Sequence, residues 1–280
     1  DFEVMITFPH LGFIGRLGNQ MFQYATLFSL SKKHKVNISL CRDTVELCRS
    51  FNITAPINSF YNNNFISAHN LKDVAFYGHS VHIQTEEQNN KFLTTEFDLE
   101  FLNTNHDGKS ILGYFQNHNY FSEFESELRK EYRFKKIYEN ISKFYLKEIF
   151  DQEIISLHIR RTDYIGSPIL NTLDLKYYED ALSHFDKSLS VLVFSDDPKW
   201  CEEQTIFQEN RFKIIKTNNT YVDLCLMSKC DYHIIANSTF SWWGSWLAKS
   251  KKTICPKQWF LPHCHCLDSE GLRLSHWISI

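Results

Sequence analysis

Nowhere in the 280 residues is there an unbroken apolar run of 18, about the length at which a helix begins to cross a bilayer. The longest charge-free run in the C-terminal third, Tyr232 to Ala248, contains His, Asn and Ser and ends in Trp-rich sequence, so it does not read as a span. An excess of one charge is missing as well. Lys and Arg number 30 against 33 Asp and Glu, a formal net charge of −3, whereas a duplex-binding protein carries a basic surplus. Nucleic acid is therefore a poor partner, although a local basic site for a small phosphate ligand remains open. Repeats and low-complexity tracts are absent, and so are the GxGxxG fingerprint and the Walker lysine pattern. The chain opens at Asp1 without Met, a basic n-region or a signal-type apolar core. The expectation is a processed ectodomain whose only membrane link would be a removed N-terminal anchor.

What is present suits a globular enzyme. Hydrophobic residues make up 43%, aromatics 15% and charged residues 22%, enough apolar material for a core of one large or two modest domains. Val4 to Phe8 reads as a strand, and the spacing of Met21, Phe22, Ala25 and Phe28 as a helix opened by Asn19 or Gln20. Val36 to Leu40 reads as a strand, while Phe60 to Tyr120 has little periodicity and is left unassigned. Phe121 to Phe150 reads as helical. The second half alternates cleanly: strands at 153–159, 191–194, 212–216, 232–236 and 253–255, and helices at 177–185, from Asp197 to Gln208, 221–230 and 241–249. Such alternation predicts an α/β fold with parallel sheets and helices on both faces. The expected boundary separates residues 1–150 from 151–280.

The eight cysteines, Cys41, Cys48, Cys201, Cys225, Cys230, Cys255, Cys264 and Cys266, fit a lumenal enzyme with a few disulfides, in which most are expected to be oxidised, or a cytosolic one with buried thiols. His263-Cys264-His265-Cys266 invites a zinc reading, but adjacent residues rarely converge on one tetrahedral ion and no second ligand pair has finger spacing. Sequons occur at Asn37, Asn52, Asn140, Asn218 and Asn237, and Asn237 is expected to stay unmodified.

Four polar clusters fall where predicted strands end, which is where open parallel sheets bind ligands. Gly15-Arg16-Leu17-Gly18-Asn19-Gln20 offers close backbone approach and a helix N-terminus suited to phosphate, or else a tight turn capped by Asn19. In His158-Ile159-Arg160-Arg161-Thr162-Asp163-Tyr164, Arg160 can project as a bidentate phosphate ligand, while Arg161 points away and could pair with Asp163. The alternative is a surface salt bridge. Ser195 or Asp196 is expected to cap the helix that holds Pro198. Asn237-Ser238-Thr239-Phe240-Ser241-Trp242-Trp243 places hydroxyls before a helix, with the tryptophans read as core anchors. No Asp-x-Asp pair exists, which removes a common metal-chelating feature and leaves arginine and helix ends to carry a diphosphate.

Gly15 to Ala25, His158 to Asp163 and Asn237 to Trp243 together resemble, in order and spacing, the motifs of the α-1,2-fucosyltransferase family, across roughly Ile6 to Phe260. The arginine motif is also shared with α-1,6- and protein O-fucosyltransferases. Ile6-Thr7-Phe8-Pro9 resembles animal members more than bacterial ones. The resemblance implies a type B glycosyltransferase fold of two facing Rossmann-like domains, residues 1–150 for the acceptor and 151–280 for the donor. It implies inverting, metal-independent transfer of fucose from GDP-β-L-fucose to the 2-hydroxyl of a terminal galactose-type residue on a glycan, with no cofactor. Arg160 would hold the β-phosphate and His158 would lie at the nucleotide. Asp223 would read the guanine edge, and Ser238, Thr239 and Ser241 would lie near the phosphates. Arg16, Gly18 and Asn19 would meet the donor, and Arg160 and Asn19 would be catalytic. The glutamate that serves as base in the α-1,6 enzymes has no counterpart at Gly166-Ser167-Pro168, so Asp163 or a late proton transfer must serve. The implied setting is the Golgi lumen, as the ectodomain of a type II membrane protein, with the cytoplasm as alternative. The competing readings are a fucosyltransferase of another linkage and a non-catalytic protein that binds GDP-fucose or glycan.

Overall fold

The computed structural model describes residues 5–41, 45–58, the strand segments 65–67, 74–77 and 80–83, and residues 96–147, 153–264 and 269–280. The chain forms two compact units. Asp1–Arg133 with His265–Leu272 make the first, and Phe134–Cys264 with Arg273–Ile280 make the second. The division thus falls before the expected boundary at 150, at a place where the sequence suggests one continuous helix. Two helices are found there, Glu125–Glu131 and Lys136–Lys147. Between them Tyr132 and Phe134 are buried, and the Tyr132 hydroxyl donates to the carbonyl of Met21. Aromatic anchoring stops the helix that charge and periodicity alone would extend.

The first unit is built on a four-stranded sheet in the order β2-β1-β6-β3, all parallel. The strands are β1 (Met5–Thr7), β2 (Asn37–Ser39), β3 (Phe65–Ser67) and β6 (Ser110–Leu112). A separate antiparallel pair joins β4 (Val74–Tyr77) to β5 (Ser80–Ile83). Helix α1 (Leu17–His34) follows β1. Every residue from Met21 to Leu30 is buried, so its first turns are wrapped on all sides. Lys32, Lys33 and His34 occupy its last turn, where cations suit the negative helix end. It stops at Lys35, which takes the left-handed conformation at φ 56°. Short helices α2 (Glu46–Ser50), α3 (Leu99–Asn103) and α4 (Glu125–Glu131) complete the unit.

The second unit begins with α5 (Lys136–Lys147) and carries a six-stranded sheet, order β12-β11-β10-β7-β8-β9, again parallel throughout. Its strands are β7 (Ile154–Ile159), β8 (Ser190–Ser195), β9 (Phe212–Ile214), β10 (Tyr232–Ile234), β11 (Lys252–Cys255) and β12 (Ile278–Ser279). All six residues of β7 are buried, as expected for a central strand covered on both faces. The helices are α6 (Leu175–Leu182), α7 (Pro198–Glu203), α8 (Thr220–Met227) and α9 (Thr239–Ala248). Helix α7 is half the expected length, because a 3₁₀ turn at Thr205–Phe207 replaces its continuation. Strand β12 lies outside the expected set; two residues carry no period-2 signal. Trp242, Trp243 and Trp246 are buried core anchors, as expected. Between them, a Cβ on Gly244 would sit 2.9 Å from the Cβ of Met227, so the glycine lets α9 lie close against α8.

The strand order dictates where each unit offers a crevice. In the second sheet the chain steps outward from β7 to β8 and β9, then returns to the other side of β7 with β10. The loops after β7 and β10 therefore diverge at the carboxyl edge, the topological switch point at which open α/β sheets bind ligands. In the first sheet β2 and β6 flank β1 in the same way, so its switch point lies between the loops after β1 and β6.

Candidate functional site

The β7–β10 crevice contains the arginine motif. His158 lies on the buried strand, 4% exposed. Burial first, and then the Arg160 charge, push its pKa down to about 3, so the ring is neutral. Its Nδ1 has no hydrogen-bond partner, and the ring lies 5.7 Å from that of Phe240 on α9. Arg160 follows the strand. Its Nη2 lies 2.6 Å from Asp163 Oδ1 and its Nε 3.3 Å from Asp196 Oδ2. Burial disfavours the charge, but the Asp163 contact and the Asp196 charge outweigh it, so the pKa is raised.

These contacts correct the expected pairing. Asp163 partners Arg160, whereas Arg161 turns to Asp197 at 3.6 Å and stacks 3.8 Å over the Trp200 ring. The expected cap also shifts by one residue. Asp197 caps α7 by accepting from the Trp200 amide, and Ser195 accepts from the Asp197 amide. Asp196 is thereby released to hold the arginine loop. It accepts the amides of Arg161 at 2.9 Å and Thr162 at 3.1 Å, and also the Thr162 hydroxyl. Sequence reading offered Ser195 or Asp196 as the cap, but Asp196 and its neighbour Asp197 have different roles. Only the position of β8 beside β7 separates them.

On the β10 side, Ser238 is the N-cap of α9 and makes no side-chain cap bond. It is 6% exposed, and Thr239 is half-buried. Ser241 points inward, its hydroxyl shared between the carbonyls of Ser238 at 3.3 Å and Ala236 at 3.5 Å, so its local role is within the turn. Tyr164, the last residue of the cluster and one to which sequence reading gave no role, ties the two loops by donating to the Asn237 carbonyl at 3.0 Å. It also lies under the Arg160 guanidinium, 5.5 Å from ring centre to carbon. Asn237 is 1% exposed and donates to the carbonyls of Asn171 and Trp259, so no glycan fits it. The other sequon asparagines, Asn37, Asn52, Asn140 and Asn218, are exposed.

Asp223 lies in the first turn of α8, beyond the carboxyl end of β9 and on the same edge of the sheet as Arg160. It is not the cap. Asn219 caps α8 by accepting the amides of Tyr221 and Val222. Asp223 Oδ1 accepts from the Thr217 hydroxyl at 2.5 Å. Burial pushes its pKa up to about 6, against that hydrogen bond.

At the switch point of the first unit, the loop after β1 ends in Gly15 at φ +90°. Helix α1 starts at Leu17, two residues before the expected opening, with exposed Arg16 at the cap position and no side-chain cap bond. Asn19 thus sits inside the first turn, and Gly18 is buried. The Asn19 Oδ1 accepts from Gln116 Nε2 at 2.9 Å. The later residues of the motif have structural work. Gln20 donates to the Gly15 carbonyl and accepts from the Leu47 amide. Gln23 donates to the carbonyls of Ile14 and Gly113, and Tyr24 to the buried Glu131.

The cysteines depart from the expectation that most are oxidised. Cys201, Cys225, Cys230 and Cys255 are buried free thiols, filling the core of the second unit as small apolar groups. Burial raises all four pKa values, those of Cys201 and Cys255 to about 11. His263 donates to the Pro168 carbonyl at 2.8 Å, and His265 and Cys266 lie outside the described residues. Among the described residues no cluster of metal-ligating side chains occurs, and no helix is long and apolar enough to cross a membrane.

The family model described as Glycosyl transferase family 11 matches residues 8–280. The chain belongs to this family. It is a glycosyltransferase. It is 30% identical over 273 residues to an α-1,2-colitosyltransferase of Escherichia coli, covering 88% of this chain and 90% of that one. It is 22% identical over 290 residues to galactoside α-(1,2)-fucosyltransferase 2 of Bos taurus, covering 95% and 77%. The bacterial relative is the nearer of the two, so the Ile6–Pro9 resemblance does not place the chain with animal members. The crystal structure of POFUT1 in complex with GDP-fucose shares the fold at a TM-score of 0.54 and 13% identity, over 88% of this chain and 95% of that one. The type B glycosyltransferase architecture of Rossmann-like α/β units is therefore the fold of this protein.

Proposed function

We propose that this glycosyltransferase moves L-fucose from GDP-β-L-fucose, with inversion and without a metal, to the 2-hydroxyl of a terminal galactose-type residue on a glycan. The observation that carries the reading is Arg160, a desolvated guanidinium at the switch point of a parallel sheet, beside the N-terminus of α9. A fixed planar cation and a helix end are the groups a diphosphate leaving group requires. The α-1,2 relatives and the GDP-fucose held by a structural neighbour support the donor and the linkage. The second unit is assigned to the donor and the first to the acceptor. Arg16, Gly18 and Asn19 are assigned to the donor's phosphate and fucose by resemblance alone.

In this reading Arg160 exchanges its half-exposed partner Asp163 for the β-phosphate, while the less exposed Asp196 keeps the guanidinium aimed. As the bond from fucose to phosphate breaks, negative charge grows on GDP and Arg160 stabilises it without reorganising. The acceptor oxygen attacks the opposite face of the sugar, which gives inversion. Its proton leaves late, so only a weak acceptor is needed. Neutral His158 adds no charge beside the nucleotide. Asp223 accepts paired donors from the guanine edge.

Relatedness to an α-1,2-colitosyltransferase favours a second reading in which the sugar moved is colitose. An acceptor array supplied with either the fucosyl or the colitosyl donor, followed by linkage determination on the product, separates the two. Binding of GDP-fucose without acceptor-dependent release of GDP would instead support a non-catalytic binder. The four buried thiols and the E. coli relative support the cytoplasmic setting over the Golgi lumen. Eight free thiols on the denatured native protein would establish it, and N-glycans on Asn37, Asn52, Asn140 or Asn218 would establish the lumen.

A further inference from the structure

We infer that Gln116 is a positioning residue for Asn19, fixing which end of the Asn19 carboxamide is presented at the switch point of the first unit. The inference rests on the reading of Asn19 as a donor-facing residue and adds a component that neither motif nor resemblance supplies. Gln116 lies on the loop after β6, the strand next to β1, so the sheet itself brings the two loops together. Its Nε2 donates to Asn19 Oδ1 at 2.9 Å. On the other side of Asn19 lies Gly15. A Cβ built there would approach the Asn19 Nδ2 to 2.3 Å and its Cγ to 2.8 Å. The carboxamide thus occupies the space a side chain at residue 15 would need, with its oxygen towards Gln116 and its nitrogen over Gly15.

The backbone that carries Gln116 is unusual. Phe115 has φ +53° although it is bulky and not glycine, a conformation that costs about 1–3 kcal/mol and persists only where the surroundings enforce it. They do so here. Phe115 is 4% exposed, and its ring meets those of Phe8, Phe101 and Tyr120. The Phe115 carbonyl accepts from the Asn117 amide at 2.7 Å, closing a three-residue turn with Gln116 at its apex. Gly113, at φ +146°, begins the bend, and its carbonyl is held by Gln23. A buried aromatic in a strained conformation aims one half-buried amide at one asparagine. A surface loop with no task would relax.

A carboxamide has a donor end and an acceptor end of nearly equal size, so packing alone cannot choose between them. Gln116 restricts the choice: its NH₂ end meets Asn19 Oδ1, and the two amides can turn only together. Glutamate at 116 keeps the shape but, when ionised, only accepts. It would repel Oδ1 and turn the Asn19 amide round. Once protonated it donates again, which gives the test a signature that simple structural damage lacks.

The test compares wild type with Gln116→Glu and Gln116→Leu. At pH 7.5 the Glu variant should lose at least tenfold in kcat, with KM for GDP-fucose changed less than threefold. Its activity relative to wild type should recover as the pH falls from 8 towards 5. The Leu variant should show the loss without the recovery. A Glu variant within twofold of wild type, or a relative activity that is flat with pH, would overturn the assignment. The contact is also read without transfer. The Asn19 side-chain NH₂ signals in a ¹⁵N–¹H spectrum, assigned by their disappearance in Asn19→Asp, should shift in Gln116→Glu at neutral pH. Unshifted signals would overturn the assignment even if wild type transfers no fucose, whereas shifted signals in an inactive wild type would overturn only the functional reading.

Discussion

The two units use one layout and fill it with opposite chemistry. Each has a parallel sheet, a strand flanked by the next strand on one side and a later one on the other, and polar side chains gathered at the carboxyl ends of its strands. In the second unit those groups are charged: Arg160 with Asp163 and Asp196, and Arg161 with Asp197. In the first they are amides, Asn19 and Gln116, held by a glycine and a strained phenylalanine. Charges suit a leaving group that gains charge. Amides suit a sugar, whose hydroxyls both donate and accept. The comparison assigns chemistry to electrostatics on one side and to geometry on the other, and the variants below test each half.

The largest effect is expected at Arg160. Arg160→Ala should cost about 3–4 kcal/mol in the barrier, roughly a hundredfold to a thousandfold, and Arg160→Lys should not restore it, since a point charge cannot make a two-pronged contact. Near-normal turnover by the Lys variant would remove the charged half of the comparison. Next comes Asp223. Asp223→Asn should weaken GDP and GDP-fucose alike, by roughly tens to hundreds of fold, because an NH₂ would face a guanine donor. Equal GDP affinities for wild type and variant would assign Asp223 to structure.

The raised pKa of Asp223 gives this residue two opposed pH slopes. Its folded value, about 6, lies above the ordinary 3.8, so between these pH values the folded chain holds a proton that the unfolded chain has lost. Stability from this group is therefore present at low pH and lost as the pH rises through that window. If Asp223 reads guanine as proposed, GDP should bind more weakly as the pH falls below about 6. Both slopes should vanish in the Asn variant, as read by thermal melts and GDP titrations across pH 4.5–7.5.

Gly15→Ala probes the amide half. The strained φ and the overlap with Asn19 should lower stability by about 1–3 kcal/mol and reduce transfer by a larger factor than they weaken GDP, which meets Asn19 only through its phosphate. A parallel fall in GDP affinity would show that the two halves are not chemically separate. Smaller still is Arg161→Lys, which forfeits stacking on Trp200 worth roughly 0.5–1 kcal/mol. Denaturant unfolding should detect it, with turnover little changed. The smallest effect is that of EDTA, which should leave turnover unaltered. Loss in chelator restored by Mn²⁺ or Mg²⁺ would contradict a donor site in which Arg160 and a helix end carry the diphosphate.

How much of this was legible in the chain differs between the units for a physical reason. Strands of the second sheet are buried on both faces and read as compact apolar runs such as Ile154–Ile159. The first sheet has strands of only three residues, among them Phe65–Ser67 and Ser110–Leu112, too short to show a period. Gln116 lay in that unreadable stretch, and nothing in Gly113-Tyr114-Phe115-Gln116 announces a residue with φ +53°. The tryptophans of α9, by contrast, were readable as anchors because large aromatics in a charge-free run have few other places to go.

The sequence by itself determined the alternation of strands and helices, the polar clusters at strand ends, Arg160 as the principal cation and the burial of the tryptophans. Each of these follows from periodicity or composition within a few residues. Tertiary structure decided the partners. Asp163 reaches Arg160 from three residues away, but neighbouring strands give Arg160 its second partner Asp196, leave Arg161 to Asp197 and Trp200, and bring Gln116 to Asn19 across 97 positions of sequence. A chain can state which groups it carries, but which of them meet depends on strand order, and strand order exists only once the sheets have formed.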